Sequence, residues 1–294
     1  MRAGADPERL AGASARTIRV GLIGRAIQLS RTPGMHEAEG RALGLAYDYA
    51  LFDMDERPDD TLADVVARAE ADGYAGLNVT HPYKREALAI VSDLSDAARR
   101  IGAINTIVFR DGRRYGHNTD FWGFAEGFRQ GLPDAPRDTV LLLGAGGAGG
   151  AVAHALYDLG VGRLLITDTR DGAAQTLAAE VNAVEGRQAA EWVADVAEAA
   201  ARADGIVNAT PVGMTAMPGT PLDPALLMPR HWVADILYFP LETELLSAAR
   251  ATGCATLSGE GMSVYQAVRA FELFSGIRPD AARMRQAFHA QGEA

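Results

Sequence analysis

Four clusters between residues 24 and 120 carry the side chains needed to hold a small polar molecule. They are Ser30-Arg31-Thr32-Pro33, Asn78-Val79-Thr80-His81-Pro82-Tyr83-Lys84, Gly102-Ala103-Ile104-Asn105-Thr106 and Gly116-His117-Asn118-Thr119-Asp120. Hydroxyls, carboxamides, one lysine and one aspartate together suit a polyhydroxylated acid and do not suit a lipid or an aromatic ring. A second constellation is Gly144-x-Gly146-x-x-Gly149, with Ala145, Gly147 and Ala148 completing the loop, directly after the apolar run at 139–144. In that context the first glycine permits a tight turn, the second admits a pyrophosphate and the third lets a helix pack against the strand. The amides at the helix start then bind the phosphates. Asp168 falls at the end of the next strand, where a carboxylate accepts from adenosine ribose hydroxyls; this favours NAD over NADP, whose 2′-phosphate it would repel. Arg170 works the other way, since it can pair with that phosphate, and Asp168 can also be read as a turn or helix-cap residue.

These side chains need strands that end beside them. From residue 17 onward short β-rich runs alternate with helical patterns, the signature of an α/β fold with mostly parallel sheets. Strands are expected at 17–24, 46–52 and 76–80, with a helix opened by Pro33, another near 60–72, and consecutive helices at 81–91 and 95–103. Asp111-Gly112 predicts a hairpin turn within 104–117. A second series follows the Pro-containing segment 131–138. It has strands at 139–144, 163–168, 205–210 and 232–237, and helices at 147–159, 172–184, 191–202 and 242–251. The last two helices, near 261–275 and 279–290, have no strand after them and are expected to return to the first domain. Each polar cluster therefore lies just beyond a strand end or beside a turn, where open α/β sheets bind ligands. Asn208, Thr210 and Met214 follow one such strand and are expected to meet the nicotinamide end of a dinucleotide. Tyr238 follows another, where it either lines the substrate pocket or packs in the core.

Composition bounds the function. At roughly 100–200 residues per domain, 294 residues suggest two domains. The 38 acidic against 28 basic residues give a net charge of −10, which disfavours a nucleic-acid partner. A hydrophobic fraction of 48% with 22% charged residues is ordinary globular material and excludes global disorder. The single cysteine, Cys254, cannot form an internal disulfide, no Cys/His cluster has zinc spacing, and a reducing cytoplasm is the natural compartment. The first 15 or so residues lack the apolar stretch of a signal peptide and read as a mobile extension, and no apolar run is long enough to span a bilayer.

Along nearly the whole chain, from about residue 18 to 290, the sequence resembles the shikimate dehydrogenases. The resemblance rests on seven motifs in order: S-x-[ST]-P-x-x-H at 30–36, N-x-T-x-P-x-K at 78–84, G-A-x-N-T at 102–106, N-T-D at 118–120, G-A-G-G-A at 144–148, N-A-T-P-x-G-M at 208–214 and G-M-x-x-x-Q at 261–266. The family's usual opening, G-x-P-I-x-H-S-x-S-P, is altered here, with Ala26, Leu29 and Thr32 in place of Pro, His and the second Ser. These departures resemble the NAD-dependent quinate/shikimate dehydrogenase branch, in which L-S-R-T-P occurs with an aspartate at the position of Asp168. The NADP-dependent branch has an Asn-Arg-Thr-like clamp where this chain reads Asp168-Thr169-Arg170.

The resemblance implies two α/β domains: a substrate domain at 17–120, a Rossmann domain at 121–256 and C-terminal helices at 257–294 packing on the first. It implies that Ser30 and Thr32 hold the substrate carboxylate, and that Asn78, Thr80, Asn105 and Gln266 bind ring hydroxyls. Lys84 and Asp120 then flank the hydroxyl that is oxidised. Hydride leaves a carbinol carbon only if the hydroxyl proton is removed, which a lysine or a lysine/aspartate pair can do. Gly261 is counted with the cofactor positions, and no metal is required. Simpler readings stay beside these: a solvated helix lysine for Lys84, a helix N-cap for Asp120, a helix-start cap for Ser30, Thr32 and Pro33, and structural roles for His36 and His81. The expected activity is reversible oxidation of quinate or shikimate by NAD in a monomer or homodimer. Alternatives are an NADP-dependent biosynthetic enzyme, an aminoshikimate or aminoquinate dehydrogenase, and a nucleotide-sensing module without turnover.

Overall fold

A computed structural model describes residues 17–292, so the proposed N-terminal extension lies outside the described residues. The chain forms two six-stranded sheets, which makes it a two-domain α/β protein. The first sheet is built from β1 (Ile18–Gly24), β2 (Tyr47–Asp53), β3 (Gly76–Val79), β4 (Asp93–Leu94), β5 (Thr106–Arg110) and β6 (Arg113–His117) in the order β2-β1-β3-β5-β6-β4. β1 pairs in parallel with β2 and β3, while β5 runs antiparallel to both β3 and β6. Helices α1 (Thr32–Ala42), α2 (Leu62–Ala71) and α3 (Asp96–Ile101) connect these strands. The hairpin turns at Asp111 and Gly112, both with positive φ, as an Asp-Gly pair in a two-residue loop should.

Helix α4 (Thr119–Gly131) leads into the second sheet. Its strands are β7 (Thr139–Leu143), β8 (Arg163–Thr167), β9 (Ala190–Trp192), β10 (Gly205–Asn208), β11 (Trp232–Asp235) and β12 (Ala255–Leu257). They are all parallel, in the order β12-β11-β10-β7-β8-β9. That is the doubly wound order with its switch point between β7 and β10, where a crevice opens beyond the strand ends. The buried run Val140–Leu143 reflects helices covering both faces: α5 (Gly147–Asp158), α6 (Ala173–Glu185), α7 (Val196–Arg202) and α8 (Glu244–Thr252).

The last helices, α9 (Glu260–Ser275) and α10 (Ala281–Ala290), return to the first sheet. Phe271, Val264, Met284 and Phe288 bury against Met35 of α1, and Phe274 packs on Val20 and Leu22 of β1. Glu39 on α1, fully buried, accepts from the Asp280 amide at 2.8 Å and from Arg283 Nε and Nη2 at 2.8 and 2.7 Å, which fastens α10 in place. α9 also crosses α4 at very short range. A Cβ on Gly127 would lie 3.1 Å from the Gly261 backbone, and one on Gly123 would lie 2.7 Å from the Met262 carbonyl.

Three local expectations are corrected. The segment 81–91 is not a helix: it is a series of turns with a 3₁₀ stretch at Glu86–Ile90. Its carbonyls have partners elsewhere, Lys84 O accepting from Ile104 N at 2.8 Å and Ile90 O from Arg114. The expected helix 191–202 begins only at Val196, because residues 190–192 pair with β8 as an edge strand. The Asn182 carboxamide oxygen holds that turn by accepting from the amides of Ala189 and Ala190. Finally, the N-cap of α4 is Asn118, whose side chain accepts from Phe121 N at 3.1 Å; Asp120 sits one residue inside the helix.

Candidate active site

A cavity of about 450 Å³ opens between the two sheets. Lys84 comes to it from the turn after β3 and Asp120 from the first turn of α4. Lys84 Nζ lies 2.6 Å from Asp120 Oδ2, with the side chains 19% and 10% exposed. Ammonium and carboxylate at that distance form a charge-assisted hydrogen bond facing a partly dry space. Asn118 fixes the α4 start from both ends of its amide, since Nδ2 also donates to the Ala103 carbonyl at 3.0 Å.

Behind the pair runs a buried polar network. Asn78 Oδ1 accepts from Tyr49 Oη at 2.8 Å, and its Nδ2 donates to Thr106 Oγ1 at 2.9 Å and to Asn105 O at 3.3 Å. Asn105 Oδ1 accepts from Thr119 N at 2.7 Å and its Nδ2 donates to Thr119 Oγ1 at 2.9 Å. Both N–H groups of Asn78 are therefore occupied, leaving it one acceptor site toward the cavity, whereas Asn105 keeps one free N–H. These two residues line the cavity and also brace the helix that carries Asp120. Burial drives the Tyr49 phenol well above its usual range, so it stays a donor to Asn78.

Ser30, Thr32, Thr80, Tyr238 and Gln266 line the same space. Ser30 Oγ is 3.4 Å from Thr32 N, too long for a strong cap, and α1 has no side-chain cap at its N-cap position, so both hydroxyls remain for a ligand. Tyr238 does both things expected of it: its ring meets Phe288 edge-on at 6.0 Å while the residue faces the cavity. Burial, and then the Asp120 charge, raise its hydroxyl pKa. Gln266 donates from Nε2 to Ser263 O at 3.1 Å and is held close against Gly123 of α4 by the α4–α9 crossing.

In the glycine loop, whose Ala148 reaches the cavity, Gly144 has φ +101, and a Cβ there would lie 2.8 Å from the Ala209 carbonyl; one on Gly149 would clash with the Gly144 carbonyl. Gly146 and Gly147 are different. Beyond its chain neighbours and its own helix turn, nothing lies within 4 Å of a Cβ on Gly147, and one on Gly146 meets only Arg170 Nη2, at 3.8 Å, beyond its own neighbours. The protein itself does not demand glycine at these two positions, so the bare space over the α5 N-terminus fits a pyrophosphate. Asp168 Oδ2 accepts from Ala145 N at 2.7 Å, and Oδ1 accepts from Arg170 N at 2.8 Å and from its Nε at 3.0 Å. The Arg170 guanidinium and these amides hold the Asp168 carboxyl down at about 2, ionised at neutral pH and a pure acceptor.

Ala148 and Met214 reach the cavity, and Thr210 touches the glycine loop, its Cγ2 lying 3.0 Å from a Cβ on Gly144. Asn208 is fully buried and acts by folding the following turn, accepting from Thr210 N and Oγ1 at 2.9 and 2.7 Å. Gly261 sits at the helix crossing against Gly127 and not on the cavity wall; its smallness serves the close approach of two backbones. Sequence reasoning missed the apolar wall of Ile236, Leu237 and Phe239, and also Ser263; His81, read as structural, lines the cavity as well. His81 and Ser263 lie inside motifs already singled out, which was the available signal. The wall carries none. His36, set aside as structural, is buried with Nδ1 2.9 Å from Tyr47 Oη, and burial lowers its pKa to about 3.

A doubly wound sheet with a bare glycine loop, beside a largely apolar cavity that holds a lysine–aspartate pair and a few hydroxyls and carboxamides, defines a two-domain dehydrogenase acting on a CH–OH group. The chain belongs to the shikimate dehydrogenase family. Residues 22–107 match the shikimate dehydrogenase substrate binding domain and residues 259–287 the shikimate 5′-dehydrogenase C-terminal domain. The chain is 49% identical over 277 residues to a quinate/shikimate dehydrogenase (NAD(+)) of Corynebacterium efficiens, covering 92% of this chain and 98% of that one. It is also 49% identical over 269 residues to a shikimate dehydrogenase (NADP(+)) of Streptomyces avermitilis, covering 90% and 92%. Its structure superimposes with a TM-score of 0.90 and 46% identity on a quinate dehydrogenase from Corynebacterium glutamicum in complex with NAD, covering 93% of this chain and 99% of that one. Overall identity therefore does not separate the two cofactors, and the local chemistry at Asp168 has to.

Proposed function

We propose that this protein reversibly oxidises a ring hydroxyl of quinate or shikimate with NAD as hydride acceptor. The observation that carries the reading is the 2.6 Å Lys84–Asp120 pair on the wall of a cavity that also presents Ser30, Thr32 and Asn105. Ser30 and Thr32, beside the α1 N-terminus, hold the carboxylate. The free N–H of Asn105, the acceptor of Asn78, Thr80 and Gln266 orient the ring hydroxyls. Lys84, as the free amine left once its ammonium has given a proton to solvent, takes the proton of the reacting hydroxyl as its C–H bond breaks, and Asp120 holds the ammonium that re-forms. The amides after Gly146 would hold the phosphates of NAD, which when bound would supply the hydride acceptor. In this reading residues 17–120 supply the substrate side, 121–256 the cofactor side and 257–294 the brace that carries Gln266, with α4 shared across the first boundary. Monomer and homodimer both accommodate it. Cys254 is free, its thiol donating to Met228 O, which fits a reducing cytoplasm. No helix among the described residues is long and apolar enough to cross a membrane.

The test is a matrix of quinate and shikimate against NAD and NADP, read at 340 nm. Turnover with NAD and either acid supports the reading, and absence of turnover in all four cells overturns it. A specific observation favours the NADP reading as second choice: Arg170 is 63% exposed beside the glycine loop and can meet a phosphate. Asp168→Ala decides between the two. It removes hydrogen bonds to a charged acceptor, each worth roughly 1.5–3 kcal/mol, so KM for NAD should rise at least about tenfold. It also frees Arg170, so kcat/KM for NADP relative to NAD should increase. An unchanged ratio of the two specificity constants removes Asp168 from cofactor choice.

A further inference from the structure

We propose that Asp235 is a positioning residue for the nicotinamide-facing wall of the cleft, locking the segment after β10 and the segment after β11 into one surface. The inference rests on the dinucleotide reading above. Asp235 ends β11 and is 1% exposed, and its carboxylate reaches neither solvent nor a cation. Oδ1 accepts from Asn208 Nδ2 at 3.1 Å and from Leu237 N at 3.0 Å, and Oδ2 accepts from Thr243 Oγ1 at 2.8 Å. The first partner belongs to the turn that leads to Met214. The second lies in the wall itself, between Ile236 and Tyr238. The third caps α8, with Thr243 Oγ1 accepting from Leu246 N at 3.3 Å.

A carboxylate is suited to this because it can only accept. It forces the Asn208 amide to aim Nδ2 at Asp235, and that leaves Asn208 Oδ1 pointing at Thr210 N and Oγ1, at 2.9 and 2.7 Å. The same Nδ2 reaches Val212 O at 3.0 Å, so one amide orientation folds residues 208–212. The two segments then touch: a Cβ on Gly213, where φ is +112, would meet Leu237 Cδ1 at 3.1 Å. Met214 from one segment and Ile236, Leu237 and Tyr238 from the other line the cavity that Lys84 also lines. A nicotinamide tethered to phosphates at the α5 N-terminus would need a fixed surface such as this one to be held toward the substrate. Burying a carboxylate without a counter-ion is costly, and burial raises the Asp235 pKa despite three donors. Fixing this wall is what the arrangement achieves.

Apart from its contact with Thr210, the glycine loop has anchors of its own: Gly144 N donates to Thr167 O and Ala209 N continues the β10 ladder to Leu143 O, both at 2.8 Å. That separates the halves of the cofactor experimentally. NAD and ADP-ribose, which lacks the nicotinamide, are titrated against wild type, Asp235→Ala and Asp235→Asn by calorimetry, and kcat is measured with NAD. For Asp235→Ala the expected result is an NAD Kd raised at least tenfold and a kcat lowered at least tenfold, with the ADP-ribose Kd within twofold of wild type. Asp235→Asn should restore both values, since its oxygen can take the shared Oδ1 role while its amide donates to Thr243 Oγ1. If Asp235→Ala does not fold, Thr243→Val removes one bond of the three, and a three- to fivefold rise in NAD Kd alone is expected. Equal losses for both ligands, or NAD binding within twofold of wild type, overturn the inference while leaving the dehydrogenase reading intact. A wild-type protein that binds neither ligand overturns both.

Discussion

Lys84→Met should lower kcat for quinate or shikimate oxidation by about 10²–10⁴-fold, the usual worth of a positioned proton acceptor, while NAD binding stays within about twofold of wild type. Methionine keeps the apolar stem, so the space between β3 and α4 remains filled and only the ammonium is lost. The loss is not expected to be repaired by water. Lys84 and Asp120 are 19% and 10% exposed, and the substrate would complete the enclosure. Asp120→Asn is the companion variant. It preserves shape and the N-cap of α4, which belongs to Asn118, but it replaces a charge-assisted bond with a neutral one. Its kcat should fall less than that of Lys84→Met, and the double variant should be no slower than Lys84→Met alone, because the two groups act as a unit. Tm measured alongside guards against a folding explanation. A Lys84→Met enzyme within threefold of wild type removes Lys84 from proton transfer.

The parts of this site that were legible in the sequence are those whose physics is local. The apolar run of β7, the glycine spacing at 144, 146 and 149, and Asp168 at the next strand end all act within one βαβ unit. Pattern and geometry therefore agree there. Gly261 shows the opposite case: its neighbour is Gly127 on another helix, and only the α4–α9 crossing reveals why a side chain is excluded. Residues 81–91 have helix-like spacing, but Lys84 and Ile90 give their carbonyls to Ile104 and Arg114. Such partners override a local preference. Asn78 and Asn105 were identified as cavity residues but not as braces, since Tyr49, Thr106 and Thr119 arrive from separate elements. Asp235 and Thr243 gave no signal at all, being single polar residues whose meaning depends on β10 and β11 lying side by side.

Gly149→Ala and Gly147→Ala should separate what the fold needs from what the cofactor needs. A Cβ on residue 149 would sit 2.2 Å from the Gly144 carbonyl oxygen and 3.0 Å from its carbon. Both are backbone atoms at the end of β7, so no rotamer change relieves the clash, and the first turn of α5 must lift away from the strand. Overpacking of this kind costs about 1–3 kcal/mol and sometimes more, which corresponds to a Tm decrease of roughly 2–10 °C for a chain of this size. The displaced turn also carries the amides that receive the phosphates, so KM for NAD should rise about 100-fold. Residue 147 is the contrasting case, because a Cβ there meets nothing within 4 Å beyond its chain neighbours and its own helix turn. The Tm of Gly147→Ala without ligand should stay within about 2 °C of wild type, the range of a neutral surface change. A methyl group in the space assigned to the pyrophosphate should nevertheless raise KM for NAD about tenfold and shrink the Tm gain on adding NAD. Thermal unfolding with and without NAD, together with KM for both variants, checks the pair. A Gly147→Ala enzyme with wild-type NAD affinity would show that no phosphate lies against that residue. A Gly149→Ala protein with wild-type Tm would show that the loop yields where the backbone contact says it cannot.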